Sequence, residues 1–356
     1  VTMLMRDVKC VNGEVVPGYK DVTYEVVEGS TGKLNFGVGI STDGGLLGSI
    51  SFQKDNFDIT RWPRSFKELT TRRAFTGAGQ TFNIFFAPGT ITSQFSVSFT
   101  EPHLFGTDLA LSLSAYKRRN FREDYDEDIL GYGVGLAYPL LEDDEYRYRL
   151  RAELRWRHEN NRILDIGPNA VPGAFLFAGN NELRSLSLGL RFVSVDDFAD
   201  PTWSTQTRLT GTYAGGVLGG SLNFLKVDLG HEQDFIVVVD DEGKRHRFTI
   251  RGDMGWAEPM PDTPEIPPFE RFYMGGNRMR GFSFRGAGPH INGEPTGGEW
   301  LVLTSAEYLL PIVKDTLGVV GFVDAGTLAT TINAPDAGLW RVAVGFGVRI
   351  KIPMLG

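Results

Sequence analysis

Along most of this chain the hydrophobic positions recur every second residue. Between Tyr146 and His158, Tyr146, Tyr148, Leu150, Ala152, Leu154 and Trp156 alternate with Arg147, Arg149, Arg151, Glu153, Arg155 and Arg157. An extended strand sends successive side chains to opposite faces, so this stretch carries one apolar face and one charged face. The same alternation sets Phe95, Val97 and Phe99 against Ser96, Ser98 and Thr100, and Leu186, Leu188, Leu190 and Phe192 against Ser187, Gly189 and Arg191. It returns at Phe248, Ile250, Met254 and Trp256, and at Val342, Val344, Phe346, Val348 and Ile350. A period of two predicts strands, not helices. Fourteen segments of about ten residues are expected. They begin near Leu34, Leu46, Gln80, Thr92, Asp108, Ile129, Tyr146, Glu182, Thr202, Leu222, Arg245, Trp300, Thr316 and Trp340. Acidic connections are expected at 122–128, 141–145 and 239–243.

Two all-β architectures fit this pattern. A sandwich or propeller hides its apolar face in a core; a membrane barrel turns that face to lipid and its charges to a wet lumen. Three features favour an antiparallel transmembrane β-barrel. Many segments have the nine to eleven residues that a tilted strand needs to cross a bilayer. Aromatic residues fall where strand ends are expected: Tyr138, Trp156, Trp256, Trp300 and Trp340. The polar face is rich in Ser, Gly and Arg.

Composition narrows the function. The chain has 356 residues and a net charge of −8, which argues against nucleic-acid binding. Cys10 is the one cysteine, so no internal disulfide can form. There is no apolar run long enough for a transmembrane helix and no signal-peptide pattern. The sequence opens in mid-pattern and reads as a mature or trimmed fragment.

Motifs for catalysis fail on inspection. His231-Glu232 begins an HExxH pattern, but Phe235 stands where the second histidine would be, so no zinc site is expected. GYGVG at 131–135 lies inside an alternating strand rather than between a strand and a helix, and reads as strand glycines. There is no G-x-S-x-G. The expectation is a protein that is not an enzyme, with no cofactor and no metal.

The connection over 258–298 is far longer than the others. It opens on a proline-rich leg, PMPDTPEIPP, and continues as FERFYMGGNRMRGFSFRGAGP. The sequence lacks the lysine and hydroxyl residue of a phosphate loop. Its aromatic residues want burial, and its glycines allow tight backbone packing. A loop folded back into the barrel fits, with an arginine meeting fixed carboxylates. Two isolated acids in apolar strands are candidates: Glu307 in LVLTSAEYLLPI and Asp324 in GVVGFVDAG. Each could instead be a lone lumenal carboxylate in water.

The residues become specific when taken in order. YEVVEGSTGKLNFGVGIS, ISFQKDNF, SFTEPHLFG, VDDFADPTWSTQTRL, ERFYMGGNRMRGF, TSAEYLLPI and GFVDAG together resemble the BamA-type outer-membrane β-barrel assembly proteins. That resemblance implies a sixteen-stranded barrel in a Gram-negative-type outer membrane, with a periplasmic N-terminus and a sixth extracellular loop tucked into the lumen. The family's loop arginine matches Arg280, within Arg280-Gly281-Phe282, and its strand carboxylates match Glu307 and Asp324; Met279 stands where the family commonly has valine. Residues 1–29 would be the end of the last POTRA module, with 30–356 the barrel. Strand one, Lys33-Leu34-Asn35-Phe36-Gly37-Val38-Gly39-Ile40-Ser41, would pair weakly and form a lateral gate. The implied work is folding and insertion of other β-barrels without nucleotide. Implied partners are unfolded outer-membrane proteins, outer-membrane lipids, periplasmic chaperones and accessory lipoproteins. A polypeptide-secreting pore of the same superfamily is the alternative, with a passive diffusion porin behind it.

Two departures from the family pattern stand out. NFDITRWPRSFKELTTRRAFTGAG (56–79) is much longer than the usual turn there. Ser65 and Glu68 form a capping-box pair, and Trp62, Phe66 and Leu69 could share a helical face, so a short periplasmic helix is expected, either covering the barrel mouth or meeting a partner. The chain also stops at IKIPMLG, where Pro353 and Gly356 read as a turn into a further strand. Two strands, about twenty-five residues, would then be missing, and the Leu34 and Val348 strands would each show an edge unpaired within the chain.

Overall fold

The computed structural model describes residues 2–9, 15–25, 31–41, 45–65, 68, 74–143, 145, 147–314, 316–331 and 339–351. Strands β1 (Thr2–Lys9) and β2 (Val15–Glu25) pair with each other in a small antiparallel sheet. The fourteen expected segments then form one antiparallel sheet, each strand paired to the next along the chain. They are β3 (Gly32–Ser41), β4 (Gly45–Phe57), β5 (Gln80–Ala87), β6 (Thr92–Glu101), β7 (Ala110–Phe121), β8 (Asp126–Glu142), β9 (Tyr148–Leu164), β10 (Gly179–Val195), β11 (Trp203–Ala214), β12 (Phe224–Val239) and β13 (Arg245–Pro259). After the long connection, which carries the two-residue strands β14 (His290–Ile291) and β15 (Glu294–Pro295), come β16 (Trp300–Val313), β17 (Leu317–Ala329) and β18 (Arg341–Ile350).

The register sorts every strand into two faces. One row of directly paired residues runs Gln53, Asn83, Ser98, Ser114, Gly133, Arg157 and Ser185 across seven strands. The same face continues through Arg191, Arg208, Gly230 and Asp253 to the pair Ser305 and Asp324. The other face carries rows such as Phe36, Ile50, Phe86 and Phe95, or Val134, Trp156, Leu186, Tyr213 and Leu225. The polar side is the inner wall. The apolar side is outer and exposed: Leu188 keeps 56% of its surface and Val344 75%. An apolar belt of this extent around a sheet is what lipid contact requires.

Connections fall alternately at two ends. One end carries 122–125, 165–178 with a single-turn helix α1 (Pro172–Leu176), 215–223 and the long connection 260–299. The hydrophobic core gathers here: Ala170, Val171, Ala174, Phe177, Leu222, Ile266, Phe272, Met274 and Met279 pack with the upper ends of the strands. The opposite end carries the 58–79 connection and short turns, and its lumen is open. A cavity there of about 1120 Å³ is lined by Arg247, Leu309, Pro311, Lys314, Arg349 and Lys351, among others.

Some expectations shift. The acidic stretches 122–128 and 141–145 are partly strand, because β8 already begins at Asp126 and reaches Glu142. Trp156 is not at a strand end; it sits mid-strand between Val134 and Leu186. Trp256 and Trp300 do lie at strand ends and pair directly. The long connection spans 260–299, and it is not structureless, given β14, β15 and a bridge between Phe272 and Gly298. His231 and Glu232 are neighbours in β12 and therefore face opposite sides of the wall. Tyr146, Phe66, Leu69, Pro353 and Gly356, on which parts of the sequence reading rest, lie outside the described residues, as do 26–29. Among the described residues, β3 and β18 each have a single hydrogen-bonded neighbour strand.

Candidate functional site

The clamp expected from the sequence forms between the long connection and the inner wall of β16 and β17. Arg280 donates from Nε to Asp324 Oδ2 at 2.9 Å and from Nη2 to Asp324 Oδ1 at 2.7 Å, a two-pronged contact between planar groups. Its backbone N–H also donates to Asp324, at 3.0 Å. Nη1 donates to Glu307, and Nη2 reaches Ser305 Oγ at 2.9 Å. Ser305 in turn donates to Asp324 Oδ1 at 2.7 Å, and Arg349 of β18 donates to Glu307 at 3.2 Å. The strands supply this geometry by register: Ser305 lies directly opposite Asp324, and Glu307 opposite Phe322. Asp324 is 1% exposed, and a buried carboxylate must be paired to stay charged.

The neighbours of Arg280 hold the loop in place. Met279 is fully buried and Phe282 packs against the core cluster. Gly281 adopts φ of 86°, and a Cβ there would stand 3.3 Å from Ala343 Cβ. Only glycine adopts that backbone without strain, so the turn that aims Arg280 downward depends on it.

Sequence reasoning missed two further anchors. Glu270 is 7% exposed and accepts from Arg157 of β9 at 2.9 Å and from Lys226 of β12 at 3.3 Å. Lys226 also donates to the Glu270 carbonyl at 2.8 Å and lies over the Phe272 ring at 4.9 Å. Nearby, Tyr116 donates to Glu159 across Gly131, whose Cβ would fall 2.4 Å from the tyrosine ring. Gly131, a strand glycine of GYGVG, thus leaves room for the Tyr116 side chain. The third anchor is Arg285. Its guanidinium lies 3.7 Å from the Tyr273 ring centre, and Phe284 sits between Arg285 and Arg122, 5.5 and 5.7 Å away. Arg122 is paired with the buried Glu127, which also accepts from Asn120 at 2.6 Å. Arg285 is therefore structural, whereas Arg278 is exposed. A signal existed in part, since Arg157 and Lys226 lie on inner-face positions that need a counter-charge; nothing local marked Glu270 as its source.

The second sequence-predicted element, Lys33 to Ser41, is β3. Leu34, Phe36, Val38 and Ile40 point outward and are 58%, 71%, 87% and 83% exposed. Lys33, Asn35, Gly37, Gly39 and Ser41 face inward; Lys33 pairs with Asp55 at 2.8 Å and Asn35 donates to Ser51 at 3.2 Å. Gly37 and Gly39 add no side-chain contact. The strand order sets β3 at one end of the sheet and the clamp strands β16 and β17 next to the other end. Among the described residues no cluster of three potential metal ligands occurs.

The chain as a whole is similar to known proteins. Residues 75–356 match the Omp85 superfamily domain. The chain is 26% identical over 362 residues to the outer membrane protein assembly factor BamA of Nitratidesulfovibrio vulgaris, covering 97% of this chain and 41% of that protein. Against BamA of Neisseria meningitidis it is 26% identical over 339 residues, covering 88% and 39%. It thus spans about two fifths of the length of these relatives. Its fold superposes on BamA from Haemophilus ducreyi lacking POTRA domains 1–3 with a TM-score of 0.70, at 19% identity, over 99% of this chain and 69% of that one. CdiB from Acinetobacter baumannii gives a TM-score of 0.57 at 14% identity, over 99% and 59%. A fourteen-stranded sheet with an apolar outer belt, a lumenal loop pinned by Arg280 and a domain match over most of the length converge: the chain belongs to the Omp85 superfamily and resembles its BamA-type outer-membrane barrels.

Proposed function

We propose that this chain is the barrel portion of an outer-membrane assembly factor that folds and inserts other β-barrels by strand templating. In this reading β3 is the template. Its backbone donors and acceptors pair on one side with β4; in this reading the other edge opens to offer the same row to an incoming strand. Gly37 and Gly39 leave few side chains to obstruct that approach. A client strand paired there enters the bilayer with its backbone groups satisfied, which removes the largest cost of insertion. No nucleotide is needed, because hydrogen bonding and lipid burial drive the step.

The observation that carries this reading is a loop end of the lumen filled by a packed core, together with a first wall strand in which Gly37 and Gly39 present no side chain. The loop end is filled by a packed core, so polypeptide release sideways at β3 fits better than passage straight through. This favours assembly over a secreting pore or a diffusion porin. The reading places the N-terminus and the 58–79 end in the periplasm, the long connection outside, and unfolded outer-membrane proteins, lipids, periplasmic chaperones and accessory lipoproteins as partners. Depletion in the native host tests it. Loss of other barrels from the outer membrane, with their unfolded forms accumulating in the periplasm, is expected; an unchanged barrel complement with loss of one secreted polypeptide would establish the pore instead.

A further inference from the structure

Among the described residues, the 58–79 connection meets the outer wall at its two ends. Phe57 stacks on Phe82 at 5.3 Å and meets Phe99 edge-on at 6.3 Å. Phe82 and Phe99 are paired residues of the outer face, in line with Phe86 and Phe95. Phe75 returns to stack on Phe57 at 5.5 Å, and Trp62 packs edge-on to Phe75 at 5.2 Å. Trp62 and Phe75 are thus folded back onto the outside of β4–β6, where they extend the lipid-facing belt. Trp62 is 70% exposed and Ile59 47% exposed, at the end of that belt. The guanidinium-bearing Arg61 and Arg64 are exposed beside them, and Lys54 projects from the same outer face of β4.

We propose that this patch is a membrane-interface anchor that binds the anionic headgroups of the phospholipid leaflet at this end of the barrel. Three properties select that occupant over a protein partner. The aromatic cluster is continuous with a surface already reading as lipid-facing. Tryptophan is suited to the headgroup level, apolar in its ring and polar at its N–H. Among the described residues the patch carries Lys54, Arg61 and Arg64 against Asp58 and Glu68, a cationic excess matched to lipid phosphate. The anchor sits one strand from β3, so it fixes the depth of the leaflet beside the proposed template.

The inference rests on the lipid-facing reading of the outer wall, and the test separates the two. The full chain is reconstituted into vesicles of phosphatidylcholine with or without phosphatidylglycerol, using lipids brominated near the carbonyl. Subtracting the emission of Trp62→Phe isolates Trp62; subtracting Trp156→Phe isolates a mid-wall tryptophan as the control. Trp62 emission should be blue-shifted, quenched by bromolipid, untouched by aqueous iodide, and more strongly quenched when phosphatidylglycerol is present. Arg64→Gln should abolish that last increment while leaving Trp156 unchanged. A Trp62 quenched by iodide and not by bromolipid, with Trp156 still quenched by lipid, overturns the anchor alone. If neither tryptophan meets lipid, the lipid-facing reading falls with it.

Discussion

The Arg280 guanidinium lies flat over the Phe322 ring, 3.6 Å from its centre, while its edge donates to Asp324. The stack and the fork both require a planar, delocalised cation, and an ammonium satisfies neither. Charge-assisted hydrogen bonds of this kind contribute about 1.5–3 kcal/mol each. Arg280→Ala is therefore expected to loosen the loop most, Arg280→Lys nearly as much, and Arg278→Ala little. Protease sensitivity of the loop in detergent, with the temperature of gel-shift unfolding, gives the order. Equal behaviour of all three variants would refute the clamp.

Arg285→Ala should also be costly, because it removes the partner of Tyr273 and one side of the Phe284 stack. Its loss should appear as local opening between the loop and the β7–β8 turn, read by hydrogen exchange at 122–127. Protection unchanged from the parent protein would show that Arg285 contributes only packing.

Glu270→Gln leaves Arg157 and Lys226 facing each other without their carboxylate. Breaking a buried pair by removing one partner costs about 3–5 kcal/mol. The second change Lys226→Met should recover part of that loss, since it removes one stranded cation. Comparing unfolding midpoints of the single and double variants decides; a double variant less stable than Glu270→Gln contradicts the charge argument.

Gly281→Ala should destabilise by about 1–2 kcal/mol through its left-handed backbone alone. The same substitution at Gly39, which has ordinary strand geometry and open space around it, should be nearly silent in stability. Comparable losses at both sites would mean that backbone conformation is not what Gly281 supplies.

The turn between β10 and β11 gives a pH prediction. Asp196 accepts the Thr202 hydroxyl, the Thr202 N–H at 2.9 Å and the Trp203 N–H at 3.1 Å. These bonds, the hydroxyl first, hold its carboxyl down to about 2. A depressed pKa means the turn's stabilisation is complete above the ordinary carboxylate range and is lost only as pH falls toward 2. Carboxyl-carbon NMR titration should show the Asp196 midpoint well below that of the other turn aspartates. A midpoint near 4 would mean the turn is not held by this side chain.

Strand periodicity was legible because it is local. Each wall segment must present one face to lipid and one to the lumen, so the alternation is written into every ten residues. Glu307 and Asp324 were legible for a related reason: a lone acid in an apolar strand needs a partner. Strand ends were less clear, since β8 carries its acidic residues up past the apolar belt. Glu270 and Arg285 were invisible as anchors because their partners lie far off in sequence, on β9, on β12 and within the loop itself. The packing of Phe75 onto the outer wall was likewise hidden: Phe57, Phe75, Phe82 and Phe99 meet only once β4, β5 and β6 are side by side.

The three anchors have a mechanical consequence. Together they brace the β7–β8 turn, β9 and β12, and β16 to β18, like spokes fixed to part of a rim. Arg280, Glu270 and Arg285 all make these contacts within the loop or on the wall from the β7–β8 turn round to β18. The loop and the wall it grips, from the β7–β8 turn to β18, should therefore move as one stiff sector.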